Sequence, residues 1–213
     1  MKQKEWYRRN LPHIQPLDGI FNICFRLHGS LPIKKIKEIQ EERDRQLKEL
    51  EKSFPELPPE EIRNIKCRFY DKYFAKFDQL LDDAYSGPTY LKEPAIAEIV
   101  KNGLHYWDGK RLRLICYCIM PNHVHLIIDS CQDQLFILLK SIKTYTARKS
   151  NQALNRTGYS FWHKESYDNL IGSPRVLAIK AKYILNNPVK AGLVKSWESW
   201  PHTYLNPEFT WIL

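Results

Sequence analysis

Residues 111–129, RLRLICYCIMPNHVHLIID, determine the fold more than any other part of the chain. Apolar side chains alternate along residues 111–119 and again along residues 123–129, a pattern that predicts two strands. Pro121 and Asn122 lie between them, and a turn is expected there because proline cannot donate to a strand ladder. So short a link predicts two neighbouring antiparallel strands.

One further strand and five helices are predicted around this hairpin. Residues 19–27, GIFNICFRL, form a strand with one wholly apolar face, and its second face carries Ile20, Asn22, Cys24 and Arg26. Apolar periodicity and proline or glycine boundaries predict helices at residues 33–54, 59–85, 93–104, 134–153 (capped by Asp133) and 173–187. This order predicts an α+β fold with an antiparallel sheet.

The first two helices are predicted to form an insertion after the first strand, at residues 33–86 of one 213-residue domain. Residues 34–52 contain seven basic and six acidic side chains, which is typical of a solvated amphipathic helix. Packing or dimerisation is the simpler role for this pair of helices. Contact with DNA is the alternative.

The chain carries a net charge of +9, and its positive charge is concentrated in the C-terminal half. Residues 109–195 contain 14 Lys/Arg and four Asp/Glu, whereas the rest of the chain contains 19 and 20. Such a distribution favours polyanionic partners, although it says nothing about the fold.

The cysteine content and the amino terminus indicate the cytoplasm and no membrane association. Five cysteines are an odd number whose spacing fits no disulfide framework, so a reducing compartment is expected. Residues 1–10 are charged, and no apolar stretch approaches a membrane span. Cys116 and Cys118 are expected to be buried on the face of Leu112 and Leu114 rather than to bind a metal.

Two histidines in MPNHVHLII, residues 120–128, form the strongest chemical motif. Side chains alternate between the faces of a strand, so His123 and His125 point the same way and could share one metal ion. Val124 and Leu126 point the other way and anchor the strand in the core. Histidines that are exposed, or buried with other partners, remain the alternative.

A tyrosine and an asparagine lie near the end of the last predicted helix, which starts at Ser173 with Pro174 in its first turn. Tyr183 and Asn187 are four residues apart, on one helical face if the last turn holds. A phenol could attack a phosphodiester, and an amide oxygen could complete a metal site. The alternative is structural: Tyr183 packs in the core, and Asn187-Pro188 only ends the helix.

These motifs together resemble the REP-associated tyrosine transposases, relatives of the small one-tyrosine HUH transposases of bacterial insertion sequences. Residues 34–85 lie outside the resemblance. The matching segments are GIFNICFRLHGSLP (19–32), MPNHVHLII (120–128), LLKSIKTYTARKSNQ (138–152), GYSFWHKESYDNLI (158–171) and YILNNPVKAGLV (183–194).

The resemblance implies a ferredoxin-like sheet with helices on one face. It also implies that His123, His125 and Asn187 bind Mg²⁺ or Mn²⁺ and that Tyr183 is the nucleophile. Related enzymes have Gln where this chain has Asn187, and both residues offer an amide oxygen. A homodimer is a further possibility that comes from the resemblance alone.

Two other tyrosines and a basic helix complete the set of candidates. Tyr167 and Tyr145 are the rival nucleophiles. Phe161 and Trp162 could stack on unpaired bases or pack in the core. Four cations on the helix at residues 134–153 are expected to contact phosphates, unless they form only a solvated surface: Lys140, Lys143, Arg148 and Lys149.

The resulting hypothesis is a metal-dependent endonuclease and strand transferase that acts on single-stranded DNA beside a hairpin, through a 5′-phosphotyrosine intermediate. A non-catalytic protein that binds hairpin nucleic acid is the first alternative. A metal-dependent hydrolase without a covalent step is the second.

Overall fold

The computed structural model describes residues 6–8, 12–14, 19–83, 87–130 and 134–213. The chain divides into two compact units. The larger comprises Met1–His28 and Pro88–Leu213, and the smaller comprises Gly29–Gly87. Asp133, the predicted helix cap, and Tyr85, the predicted end of the second helix, lie outside the described part of the chain.

The larger unit is built on a five-stranded antiparallel sheet, and the chain is α+β as predicted. A separate two-stranded ribbon, β1 (Trp6–Arg8) with β2 (Pro12–Ile14), precedes it. The sheet contains β3 (Ile20–Leu27), β4 (Leu112–Ile119), β5 (His123–Ser130), β6 (Trp162–Ile171) and β7 (Thr203–Leu205), in the order β6-β3-β5-β4-β7. The helices of this unit are α3 (Pro94–His105), α4 (Leu135–Ala153), α5 (Pro174–Leu185) and α6 (Asn187–Lys190).

Strands β3 to β6 with helices α3 and α4 follow the βαββαβ order of a ferredoxin-like fold, and β7 extends one edge. Helices α3 and α4 cover the face formed by residues such as Phe25, Val124 and Leu126. Helix α5 covers the opposite face, where Ile127 packs against Leu177. The helices therefore lie on both faces, not on the single face that the resemblance implied.

A β-bulge in β4 changes which side chains share a face. Leu114 pairs with Ile128 and Cys116 with Ile127, so Ile115 is an extra residue. An extra residue reverses the alternation beyond it. Cys116 and Cys118 consequently lie with α5, away from Leu112 and Leu114, so the predicted shared face was wrong. Their burial is as predicted.

Strand β6 is the longest element that sequence patterning missed, and the three-residue strands β1, β2 and β7 were missed as well. Its sequence, WHKESYDNLI, has no apolar alternation because β6 is an edge strand, with β3 as its neighbour in the described sheet. Most of its side chains are only partly buried, so the core imposes no two-residue pattern on them. The other predicted strands of this unit agree with the structure to within about one residue.

The smaller unit contains α1 (Ile33–Glu51) and α2 (Pro59–Asp82). Both helices begin where the sequence predicts and end about three residues earlier. Ion pairs join them, with Lys76 Nζ 2.7 Å from a Glu42 oxygen and Lys66 Nζ 2.8 Å from a Glu51 oxygen. The hydrogen bond and positive charge of Lys76 lower the pKa of Glu42 below its usual value. No helix in the described ranges combines the length and apolar character needed to cross a bilayer.

Helices α3 and α4 approach each other closely at Gly103, which generates a prediction about stability. A Cβ at Gly103 would lie 2.6 Å from Thr146 Cγ2. Gly103→Ala should therefore lower the free energy of unfolding by about 1–3 kcal/mol, measured by urea denaturation. Adding Thr146→Ser should recover most of this loss, because serine lacks the Cγ2 that the new Cβ would meet. The serine also keeps the hydroxyl that accepts from Trp162 Nε1 at 2.9 Å.

Gly172→Ala is the control for this measurement, since a Cβ at Gly172 would contact nothing within 4 Å. It should change stability by less than about 0.5 kcal/mol. A Gly103→Ala protein as stable as wild type would show that the helices can separate at no cost.

Candidate active site

The two predicted histidines of β5 lie together on the face that α5 covers. His123 and His125 are both fully buried, and their Nε2 atoms are 2.9 Å apart. His123 Nδ1 lies 2.6 Å from Asn122 Oδ1, a group that can only accept from it. The hydrogen is therefore on Nδ1, and the lone pair of His123 Nε2 points towards His125.

Strands β3 and β4 contribute the side chains beside this pair. His125 lies opposite Cys24 on one side and Cys118 on the other, and His123 lies opposite Arg26. Arg26 is only 4% exposed, which is unusual for a guanidinium. It is a functional candidate that sequence analysis left unassigned, although the polar face of residues 19–27 was the available signal.

Helix α5 brings Tyr183 to the same site. The helix begins at Pro174, and the Oγ of Ser173 before it accepts from Val176 N at 3.3 Å, as the predicted cap requires. Ala181 and Ile184 bury one face of the helix. The Tyr183 ring then lies 6.4 Å from the His125 ring, centroid to centroid. The half-buried phenol therefore adjoins the histidine pair.

Asn187 is fully buried, and neither its Oδ1 nor its Nδ2 has a hydrogen-bond partner among the residues that the structure describes. Leaving a buried amide unsatisfied costs free energy, so such a group usually serves an ion, a ligand or water. An amide oxygen and two imidazole nitrogens form a suitable donor set for Mn²⁺ or Mg²⁺. Nitrogens 2.9 Å apart also match adjacent ligands about 2.1 Å from one ion.

The predicted helix ends before Pro188, but a second short helix that was not predicted follows it. Helix α5 ends at Leu185, and α6 resumes at Asn187 with Pro188 in its first turn, where a missing N–H costs nothing. Lys190 is thereby placed seven residues after Tyr183, two turns on, and its Nζ lies 3.5 Å from Tyr183 Oη. Sequence analysis missed Lys190 because it predicted no helix beyond Pro188.

The rival tyrosines lie in different places. Tyr167 pairs with Cys24, which pairs with His125, so it shares the histidine face two strands away. Tyr145 lies on α4, which packs against the other face of the sheet, and a Cβ at Gly103 would be 3.6 Å from its ring. Tyr183 therefore approaches His125 from the helix α5, whereas Tyr167 lies on β6 and Tyr145 on α4.

The four cations of α4 do not form one patch. Lys140 and Lys149 are nine residues apart, which at about 100° per residue puts them on opposite sides of the helix, with Arg148 between. Lys143 Nζ is held by His163 O at 2.8 Å and by Lys164 O and Ser166 Oγ, both at 3.1 Å. Lys143 therefore fastens α4 to β6.

Comparison with known proteins identifies related chains. Residues 90–187 match the family model described as "Transposase IS200 like". A Haemophilus influenzae protein assigned to the REP-associated tyrosine transposases is 29% identical over 101 residues, which cover 42% of this chain and 56% of that protein. The chain thus spans little more than half of that relative's length.

A solved structure of a REP-associated tyrosine transposase bound to a REP hairpin has a similar fold. The TM-score is 0.53, with 14% sequence identity over 92% of this chain and 80% of the other. At this identity the likeness concerns the fold alone.

Metal binding should depend on the histidine pair and on the residue that orients it. Mn²⁺ should bind the wild-type protein in isothermal titration calorimetry, and His123→Ala with His125→Ala should abolish that binding. Asn122→Ala should weaken it by about 10–100-fold, because His123 loses the partner that fixes its tautomer. The exposed neighbour Asn186 supplies the control, Asn186→Ala, which should bind Mn²⁺ normally. Unchanged Mn²⁺ affinity in the double histidine variant would locate the metal elsewhere.

Proposed function

Residues 90–187 match the model of the IS200-like transposases, and on that basis we propose that this chain is a metal-dependent endonuclease and strand transferase of single-stranded DNA. The observation that supports this activity is the meeting of a buried histidine pair with Tyr183 on one face of the sheet. The unsatisfied amide of Asn187, four residues after Tyr183, supports it further.

In this proposal His123 Nε2, His125 Nε2 and Asn187 Oδ1 would hold one Mg²⁺ or Mn²⁺ ion. When bound, the ion supplies a positive charge that polarises and orients the scissile phosphate. Asn122 keeps the His123 lone pair directed into the site. The apolar residues on the opposite side of β5, such as Val124 and Leu126, fix the position of both imidazoles.

Tyr183 is the proposed nucleophile. Its Oη forms a bond to phosphorus while the bond to the 3′ oxygen of the preceding nucleotide breaks. The phenol loses its proton to solvent, and the departing 3′ oxygen gains one. The products are a 5′-phosphotyrosine and a free 3′-hydroxyl, and attack by a 3′-hydroxyl reverses the step. The phosphodiester energy is retained in the covalent link, so joining strands requires no nucleotide cofactor.

Lys190 places an ammonium group 3.5 Å from the attacking oxygen. A positive charge at that position stabilises the negative charge that the phenol oxygen develops as it loses its proton.

The proposed substrate is a single strand beside a DNA hairpin, because the structurally similar transposase was solved with a REP hairpin. The basic excess of residues 109–195 suits such a polyanion. Exposed cations of α4, among them Lys140, Arg148 and Lys149, are proposed to bind phosphates. The cytoplasm, where chromosomal DNA is accessible, is the proposed compartment.

Tyr183 should become covalently attached to DNA. Wild type incubated with Mn²⁺ and a labelled hairpin-flanked single strand should give an adduct on a denaturing gel. Tyr183→Phe should give none, because it removes only the attacking oxygen. Tyr167→Phe and Tyr145→Phe, the matched controls, should retain the adduct. If the adduct persists in Tyr183→Phe and disappears in Tyr167→Phe, the nucleophile is Tyr167 on β6 and not Tyr183. Cleavage with no adduct in any variant would indicate a hydrolase.

Lys190→Ala should slow single-turnover adduct formation by about tenfold, less than the roughly 100-fold typical of a buried transition-state donor. The ratio of the wild-type rate to the Lys190→Ala rate should fall towards one as the pH approaches about 10, where an unperturbed phenol ionises without help. Lys182→Ala, which removes an exposed lysine beside Tyr183, should react normally. A Lys190→Ala defect of the same size at every pH would mean that Lys190 only binds DNA.

A further inference from the structure

A groove lies on the face of the sheet that carries α4, opposite the histidine pair. It runs between α4 and residues 159–168 and has a volume of about 550 Å³. Pockets of about 300–1,000 Å³ hold compact organic ligands, a class that includes a nucleotide. Strand β6, which forms one wall, is the edge of the sheet, so the groove lies where a polymer could enter from the side.

An exposed but fixed aromatic ring stands at this groove. Tyr159 is 66% exposed, yet the Arg156 guanidinium lies 5.0 Å from its ring centroid and also 5.0 Å from that of Tyr90. Asn151 Nδ2 donates to the Tyr159 carbonyl at 2.7 Å, which fixes the backbone. A ring exposed to water but held in place is suited to stacking on an unpaired base.

Positive charge lines the same groove. Lys140 on α4 and Lys164 on β6 are both exposed and both line it. Lys143 joins the two walls through its bonds to the His163 carbonyl and Ser166 Oγ. The groove therefore carries two exposed ammonium groups, which complement a phosphate backbone, and the carboxylates of Glu165 and Asp168 also line it.

His163 also lines the groove. Burial, together with the charge of Arg26, lowers the pKa of His163 to about 4, so its imidazole is uncharged at neutral pH. Glu165 N donates to His163 Nδ1 at 3.2 Å, which leaves the ring hydrogen on Nε2. A neutral donor of this kind suits the edge of a base better than a phosphate.

We propose that this groove binds an unpaired nucleotide of the DNA strand that flanks the hairpin, with its base stacked on Tyr159 and its phosphate against Lys140 and Lys164. The inference rests on the proposed function for the identity of the polymer. Neighbouring strands are about 4.8 Å apart, so β5 lies only about 10 Å from the edge at β6. A flexible single strand can therefore pass round that edge and present its scissile phosphate to Tyr183 on the other face.

The test is the affinity of a fluorescein-labelled oligodeoxythymidine for wild type and variants, measured by anisotropy. Tyr159→Ala should weaken binding about tenfold, and Tyr159→Phe should stay within about twofold because it retains the ring. Lys140→Ala with Lys164→Ala should reduce the slope of log affinity against log salt by about 0.7 for each phosphate that the protein no longer neutralises. Tyr106→Ala is the matched control, since Tyr106 is 58% exposed with Lys110 Nζ 3.9 Å from its ring centroid. It should bind like wild type.

Crosslinking locates the bound strand independently of any substitution. Irradiation of wild type with 4-thiothymidine in the single strand should modify the peptide that contains residues 156–168. Wild-type affinity in Tyr159→Ala, or crosslinks that map only elsewhere, would overturn the proposal.

The Tyr183 adduct separates this proposal from the proposed function. If wild type forms the adduct and Tyr159→Ala binds the strand with wild-type affinity, the groove proposal is wrong and the proposed strand transferase activity stands. If Tyr159→Ala loses affinity for the strand and wild type forms no adduct, the groove is a DNA-binding site and the proposed enzymatic activity is wrong.

Discussion

The register of β5 between β3 and β4 is the constraint on which the rest of the site depends. Both faces of β5 are buried, with Val124, Leu126 and Ile128 under α3 and α4 and with Ile127 under α5. A slip of one residue would turn both imidazoles into the larger core and expose those apolar side chains to the polar site. The free energy of burying ordinary aliphatic residues therefore holds two costly polar groups in place.

The site is completed by a helix that approaches the sheet from the side opposite α3 and α4. Helix α5 packs on Ile127 through Leu177 and Ala181, and this packing places Tyr183 beside His125. The continuation through Pro188 then adds Asn187 and Lys190. Rigid elements thus supply the proposed ligands and nucleophile, while the cations expected to contact DNA lie on exposed surfaces elsewhere.

Much of this arrangement follows from the sequence, for identifiable reasons. Alternation along a strand puts His123 and His125 on one face whatever surrounds them. The same rule failed at Cys116, because one extra apolar residue in β4 looks like its neighbours and reverses the pattern. The rule also failed for β6, because neither face of this edge strand is fully buried and its sequence therefore has no alternation of apolar and polar residues. Lys190 was missed because a proline stops a helix in its interior but not in its first turn. The roles of Asn187 and Tyr183 came from family resemblance, since spacing alone equally fits a packed helix end.

The central claim is that His123, His125 and Asn187 hold one divalent ion beside Tyr183. Anomalous diffraction from a crystal grown with Mn²⁺, recorded at the manganese edge, tests it most directly. The account predicts one strong peak within bonding distance of both histidine Nε2 atoms and of Asn187 Oδ1, next to the Tyr183 phenol. No peak at the histidine pair, or a peak coordinated by other residues with Asn187 still unsatisfied, would contradict it.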